Sequence, residues 1–157
     1  MVTQILSISK TEYEKFRKEA NASGGAEVCG VMVGTIGSLS SKVDEIRMIR
    51  NAAAEKADKG FVMDPQQYHD AILDLDLYDS SNTKQYVGII HSHYFDYPFP
   101  SITDWFGAER GLGRCVYLIY SVLHEELGCY FWNTKEFIRL EHLIVENQDV
   151  GGNVSPN

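Results

Sequence analysis

The chain of 157 residues is acidic, with a formal net charge of −8; 44% of its residues are hydrophobic and 23% are charged. This length suits one domain with a single core, and the composition is that of an ordinary globular protein. The acidic balance argues against nucleic acid as a partner, because phosphates require a basic surface. No apolar stretch has the length of a membrane span and no secretory signal opens the chain, so we expect a cytoplasmic protein without membrane contacts.

The domain organisation is simple. We expect one domain over residues 1–146 and a flexible polar tail over 147–157 that carries the pair Gly151-Gly152. A mobile end is the ordinary interpretation of that pair, although it would also fit an imitation of a substrate terminus. Three cysteines cannot all pair, and each lies among apolar or aromatic neighbours, so we expect reduced core residues at Cys29, Cys115 and Cys129.

The first third of the chain predicts a helix followed by two strands. Thr11 and Glu14 have the spacing of a capping box, which predicts a helix from Thr11 to about Ala22. Residues 28–33 are apolar on both faces, as in a buried strand. Residues 43–49 alternate between apolar and charged, which indicates an antiparallel partner exposed on one face.

The remaining elements complete one mixed sheet with about three helices. A polar loop over 51–59 precedes a short strand over 61–63, and Asp64-Pro65 is typical of a helix start; that helix should end near Ser80. Further predicted elements are a central strand (86–90), a third helix (101–112) and strands over 115–122, 127–132 and 137–140. Sites in such folds lie at strand ends.

Two histidines at the end of the central strand are the most informative residues. His91 and His93 are two positions apart, so on an extended backbone their side chains point to the same side and can hold one ion. Asp104 follows after ten residues and opens the next predicted helix. Two imidazoles and a carboxylate, with a fourth position left to water, form the ligand set of a catalytic zinc site.

Asp104 also has a structural interpretation. Ser101 and Asp104 have capping-box spacing, and an acidic residue in the first turn suits the helix dipole. The two interpretations are compatible, since a rigidly capped helix end would hold a metal ligand in a fixed direction.

Glu27 stands at the head of the apolar strand. It is either a solvated strand end or a general base that takes a proton from metal-activated water and passes it to a leaving amine. By the residues alone it is one acid among many.

The pattern formed by these residues resembles that of a known family. His91-Ser92-His93, then Ser101 and Asp104, with Glu27 upstream in Glu-Val-Cys-Gly-Val-Met-Val-Gly, is similar to the JAMM (JAB1/MPN/Mov34) metalloprotease motif. The resemblance extends to the junction Phe61-Val62-Met63-Asp64-Pro65 and to the apolar strand 117–121, and so covers about residues 3–141.

The resemblance implies a cytidine-deaminase-like α/β/α sandwich, the JAB/MPN domain, with one zinc ion per chain. It further implies that His91, His93 and Asp104 bind the zinc ion, that Glu27 is the acid/base, and that Ser101 stabilises the oxyanion. Substrates in this family join the C-terminal glycine of a ubiquitin-like or sulfur-carrier protein to an amine. E1- or E2-like proteins of the same operon are the expected further partners, and the short loops suggest a compact prokaryotic or phage-type enzyme.

The loop after the second histidine departs from the family pattern. Tyr94 occupies a position that is commonly proline in prokaryotic relatives, and several of the following residues are aromatic. These aromatic side chains would either line a groove for an extended substrate tail or pack locally over the third predicted helix. The groove candidates are Tyr94, Phe95, Tyr97, Phe99 and Trp105.

The sequence is also compatible with other functions. The chain could be a peptidase for a sulfur-carrier adduct or a phage tail protein, or a non-catalytic MPN scaffold, although scaffolds typically lack the complete ligand set. A nucleobase deaminase is disfavoured, because Cys115 and Cys129 do not form the Pro-Cys-x-x-Cys pattern of those enzymes.

Overall fold

Eight strands and three helices make up the part of the chain that the computed structural model describes, residues 5–53, 60–75, 84–111 and 113–146. In chain order the elements are β1 (Ile5–Ser9), α1 (Lys10–Asn21), β2 (Cys29–Ile36), β3 (Ser40–Ile49), α2 (Pro65–Ile72), β4 (Gln85–His93), α3 (Ile102–Glu109), β5 (Cys115–Ser121), β6 (Glu126–Trp132), β7 (Phe137–Arg139) and β8 (Glu141–Val145). The predicted mixed sheet with three helices is confirmed. The predicted tail lies outside the described residues.

All eight strands belong to one sheet, in the order β7-β6-β5-β4-β2-β3-β1-β8. The pairs β1–β3, β1–β8 and β4–β5 are parallel, and the other neighbours are antiparallel. Only Leu140 separates the end of β7 from the start of β8, although these strands stand at opposite ends of the order. The sheet therefore curves round until its two ends approach each other.

Two hydrophobic clusters on opposite faces of the sheet define three layers. Tyr13, Phe16 and Ala20 of α1 pack into one cluster with Ile90 and other buried strand residues. The second cluster lies on the opposite face and contains residues of α2 and α3, namely Tyr68, Ala71, Ile72 and Ala108. The predicted α/β/α sandwich is therefore confirmed.

Strands β4 and β5 are buried on both faces along almost their whole length, as expected for strands covered on both sides. Gly88 lets the two strands approach, because a Cβ atom there would lie 1.8 Å from the carbonyl oxygen of Val116. This close pairing fixes the end of β4, where the two histidines lie.

The start of α1 differs from the prediction. The N-cap is Ser9, whose Oγ accepts a hydrogen bond from the backbone N–H of Glu12 at 3.4 Å, so the helix begins at Lys10 rather than at Thr11. Glu14, the proposed partner in the capping box, pairs with Arg17 instead.

Other boundaries also differ. Asp64 and Pro65 start α2 as predicted, but the helix ends at Ile72; residues 76–83 are outside the described part. The predicted strand over 61–63 is a single bridge between Asn51 and Met63. Helix α3 ends at Glu109 rather than near residue 112, close to the poor helix formers Gly107 and Gly111. Strands β1 and β8 were not predicted at all.

Among the described residues, no helix combines the length and the apolar character that a membrane span needs.

Candidate metal centre

The two histidines are the last odd-numbered residues of β4 and are almost completely buried, at 0% exposed for His91 and 3% for His93. Because side chains alternate along a strand, both rings project from the same face as Ile89. This is the face that α2 and α3 cover. The ring centroids lie 5.1 Å apart.

Asp104 reaches the same place from the first turn of α3. Its capping box with Ser101 is complete: Ser101 Oγ accepts from the Asp104 backbone N–H at 3.1 Å, and the Ser101 N–H donates to Asp104 Oδ2 at 2.8 Å. The carboxylate oxygens lie 3.1 Å from His91 Nε2 and 3.2 Å from His93 Nε2. The capped helix end therefore holds the carboxylate against both imidazoles.

Glu27 lies two residues before β2, the strand that pairs antiparallel with β4 and places Cys29 opposite His91. Its side chain is buried, and its ligand atom lies within 4.8 Å of those of His91 and His93. The structure thus brings together the four side chains that the sequence singled out. The group of Glu27, His91 and His93 could bind a metal ion.

Unpaired polar atoms support this conclusion. Glu27 Oε1 and both ring nitrogens of His91 are buried without a hydrogen-bond partner among the described residues. Burying such atoms unpaired costs about 1–3 kcal/mol each, so native proteins rarely do it. His91 Nε2 lies close to Asp104 Oδ1 but makes no well-aligned hydrogen bond with it. A cation bound at His91 Nε2 would satisfy that nitrogen, which is the one that faces Asp104.

The spacing of the donors fits a small divalent ion. Two ligands of a tetrahedral zinc ion, each at about 2.0–2.1 Å, are separated by roughly 3.3 Å. The separations of 3.1 and 3.2 Å between Asp104 and the two Nε2 atoms match this value. Imidazole nitrogen and carboxylate oxygen are also donors that zinc accepts.

The pKa values of the two carboxyl groups, Glu27 and Asp104, are shifted in opposite directions. Burial raises the pKa of Glu27 to about 7, against the opposing effect of the two histidines. Burial acts in the same direction on Asp104, but the nearby histidines and the Ser101 N–H outweigh it, so the pKa of Asp104 is lowered. Burial lowers the pKa of His93, yet its bonds to Asp104 and Tyr97 raise it overall. Asp104 therefore stays ionised, whereas Glu27 can exchange a proton near neutrality.

The orientation of His93 is set by the loop that follows it. Its Nδ1 lies 2.8 Å from the carbonyl oxygen of Tyr97, which fixes Nδ1 as the donor and leaves Nε2 facing Asp104. The Tyr130 hydroxyl donates to the next carbonyl, that of Pro98, at 2.9 Å. A Cβ atom at Gly128 would lie only 2.3 Å from the same oxygen. The sequence carries no pattern from which these contacts could have been predicted.

A cavity of about 410 Å³ opens beside Asp104, between α2, α3 and the sheet. Its lining is largely apolar and includes Met63, Tyr68, Ile89, Gly107, Arg110 and Tyr117. Phe61 lies between this cavity and the centre, because it also packs on His91 with ring centroids 4.5 Å apart.

The aromatic groove candidates fall into two groups. Phe95, Tyr97 and Phe99 are more than half exposed, and Tyr97 stacks on His124 with centroids 3.7 Å apart. Trp105 packs edge-on against Trp132 at 5.4 Å, and Tyr94 is half-buried. Local packing thus accounts for some of these rings, whereas the exposed ones form an open apolar surface beside the centre.

The remaining histidines and the cysteines are not among the grouped candidate ligands, although Cys29 pairs with His91 across β2 and β4. His69 is exposed, His142 is half-buried, and His124 stacks on Tyr97. The three cysteines are free and buried, as predicted, and burial raises the pKa of each thiol to about 12.

Comparisons with known proteins agree with this architecture. Protein DSY2949 from Desulfitobacterium hafniense, known from its solution structure, is 21% identical, with a TM-score of 0.75 over 93% of this chain and 97% of its own. AF2198, a JAB1/MPN domain protein from Archaeoglobus fulgidus, is 15% identical, with a TM-score of 0.53 over 87% of this chain and 98% of its own. At these identities the likeness shows the fold alone. No curated protein matches the sequence.

A family model settles the relationship. The model described as prokaryotic homologs of the JAB domain matches residues 9–135, which include all four side chains of the candidate centre. Its match covers most of the chain and extends from the end of β1 to the turn before β7. The chain therefore belongs to the prokaryotic JAB domain family.

Proposed function

We propose that the chain is a zinc-dependent metalloprotease that hydrolyses the bond after the C-terminal glycine of a ubiquitin-like protein. The observation that carries this proposal is the buried cluster in which Glu27 Oε1 and the ring nitrogens of His91 have no partner. Membership of the JAB family supports the same class of reaction. His91, His93 and Asp104 would hold one zinc ion, and Glu27 would remain free of it.

Zinc, when bound, supplies Lewis-acid chemistry that polarises a carbonyl oxygen and makes water more acidic. The charge of Asp104 partly compensates that of the cation, since its lowered pKa keeps it ionised. The bond from His93 Nδ1 to the Tyr97 carbonyl orients the ring so that Nε2 faces Asp104. These contacts preorganise the donors and reduce the cost of ordering them when the ion enters.

Glu27 is the proposed proton carrier. Burial raises its pKa to about 7, and the charge of a bound zinc ion would lower it again toward the ionised form that a general base needs. Glu27 Oε1 has no other hydrogen-bond partner among the described residues, so it is free to accept a proton from water. The same oxygen would then deliver that proton to the leaving amine.

Ser101 is the proposed stabiliser of the oxyanion. In its capping bond Oγ acts as the acceptor, so the hydroxyl hydrogen is still available to a developing negative charge. The capping bond uses a lone pair of Oγ and the oxyanion bond would use its hydrogen, so one hydroxyl can fill both roles.

The apolar surroundings favour a peptide substrate. The cavity beside Asp104 would receive an apolar side chain of the substrate, and the exposed rings of Phe95, Tyr97 and Phe99 would contact the extended tail. We propose these rings, with Tyr94 and Trp105 at the margin, as the substrate surface.

The test is a cleavage assay with zinc-loaded protein. The probes are ubiquitin with a peptide fused after its terminal glycine, ubiquitin joined to a lysine side chain, and a sulfur-carrier protein adduct. We expect mass spectrometry to detect cleavage directly after glycine in at least one probe, lost with a chelator and restored by zinc. Absence of cleavage in all three probes by protein with bound zinc would contradict the proposed substrate class.

A further inference from the structure

Glu27 lies outside the backbone ladder that would normally fix a strand residue. Strand β2 begins at Cys29, so the paired strands do not hold Glu27 directly. Its position depends on hydrogen bonds to its own backbone and to that of Val28. One of them comes from Ser92, which lies between the two histidines: Ser92 Oγ accepts from the Val28 N–H at 2.9 Å, and the Ser92 N–H donates to the Val28 carbonyl at 2.9 Å.

The second support is Asn51, just beyond the end of β3. Its Nδ2 donates to the Glu27 carbonyl at 2.8 Å and to the Gly60 carbonyl at 3.2 Å. Its Oδ1 accepts from the N–H groups of Ala53 at 3.0 Å and Val62 at 3.1 Å. A neutral amide has two donor hydrogens and two acceptor sites, so this side chain uses its full capacity.

The backbone that Asn51 binds leads directly to the candidate centre. Gly60 approaches α3 so closely that a Cβ atom there would lie 3.3 Å from Thr103 Cγ2, one residue before Asp104. Phe61, between the two bonded residues 60 and 62, packs on the ring of His91. Asn51 therefore links the backbone of Glu27 to the segment that covers the first histidine.

We propose that Asn51 is a positioning residue of the reaction: its amide holds Glu27 at the correct distance from the metal ligands. This inference rests on the proposed function. Small displacements of a general base cost large factors in rate, because proton transfer requires hydrogen-bond distance. The metal ligands have independent supports, namely the β4–β5 pairing, the Tyr97 carbonyl and the Ser101 capping box.

Two substitutions of Asn51 distinguish a role in positioning Glu27 from a general role in stabilising the fold. Asn51→Asp keeps the acceptor oxygens but loses both donors and places negative charge against two carbonyl oxygens. Asn51→Ala removes all four hydrogen bonds without adding charge. It replaces Asn51→Asp in the test if the charged variant does not fold. The matched control is Asn133→Asp, because Asn133 Oδ1 only accepts from two backbone N–H groups in the turn before β7, which aspartate can also do.

We expect kcat to fall by about 10- to 100-fold in the Asn51 variants, as for other residues that orient functional groups. KM and zinc affinity, measured by titration, should not change, and Asn133→Asp should resemble the native protein. Unchanged kcat, or a parallel loss of kcat and zinc affinity, would overturn the inference.

Crystal structures of the zinc-loaded variants test the role of Asn51 without an activity assay, because they show the position of Glu27 directly. We expect Glu27 to shift while His91, His93 and Asp104 stay in place. If the native protein cleaves no probe, the proposed protease function fails, and these structures still decide the role of Asn51. An unmoved Glu27 would overturn it.

Discussion

The Glu27→Gln variant is expected to lose hydrolysis almost completely while it binds zinc as tightly as the native protein. Glutamine has nearly the same shape but cannot accept and return a proton at neutral pH. Removing a general acid/base typically costs about 10²- to 10⁴-fold in rate, and we expect kcat to fall by that factor. Steady-state kinetics on the probe that the native protein cleaves would measure the loss.

Stability and metal binding serve as controls for this variant. Since burial raises the pKa of Glu27, its ionised form is disfavoured in the folded protein, and a neutral amide should not lower Tm. Glu136→Gln, on the exposed turn before β7, is the matched control and should retain full activity. Retained cleavage by Glu27→Gln would remove Glu27 from the mechanism.

The Asp104→Asn variant is expected to lose zinc rather than only rate. Asparagine preserves the size of the side chain and can still accept the Ser101 N–H, but it lacks the negative charge that faces both imidazoles. Loss of an outer partner of a metal ligand costs about 10- to 100-fold in affinity, so loss of a ligand itself should exceed about 100-fold. Competition with a chelator of known affinity would measure the change.

Asp64→Asn controls for the loss of a carboxylate at a helix start. Asp64 caps α2 as its N-cap, where its Oδ1 accepts from the Gln67 N–H, and its carboxylate pairs with Arg50. We expect a modest loss of stability and normal zinc affinity. Equal zinc affinity in Asp104→Asn and the native protein would show that Asp104 is not a ligand.

The sequence predicts the elements around the candidate centre because local patterns determine them. The apolar strand that ends in His91-Ser92-His93 requires an extended backbone, and that geometry alone places both rings on one side. The Ser101 capping box likewise fixes the start of α3 and the direction of Asp104. These features depend on residues fewer than five positions apart.

Long-range contacts account for what the sequence did not predict. Strand β1 pairs with β3 and, across more than 130 residues, with β8, so neither β1 nor β8 is evident from its own short segment. Asn51 looked like the first residue of a polar loop, since its partners lie up to 24 positions away. The contact between His93 and the Tyr97 carbonyl spans only four residues, but it depends on the path of an irregular loop that no sequence pattern specifies.

Anomalous diffraction at the zinc absorption edge, from crystals of the native protein grown with zinc, tests most directly whether these side chains form a metal centre. We expect one peak per chain, bonded to Nε2 of His91, Nε2 of His93 and a carboxylate oxygen of Asp104, with Glu27 nearby but not bonded. A peak at any other site, or a fully zinc-exposed crystal with no peak among these side chains, would contradict it.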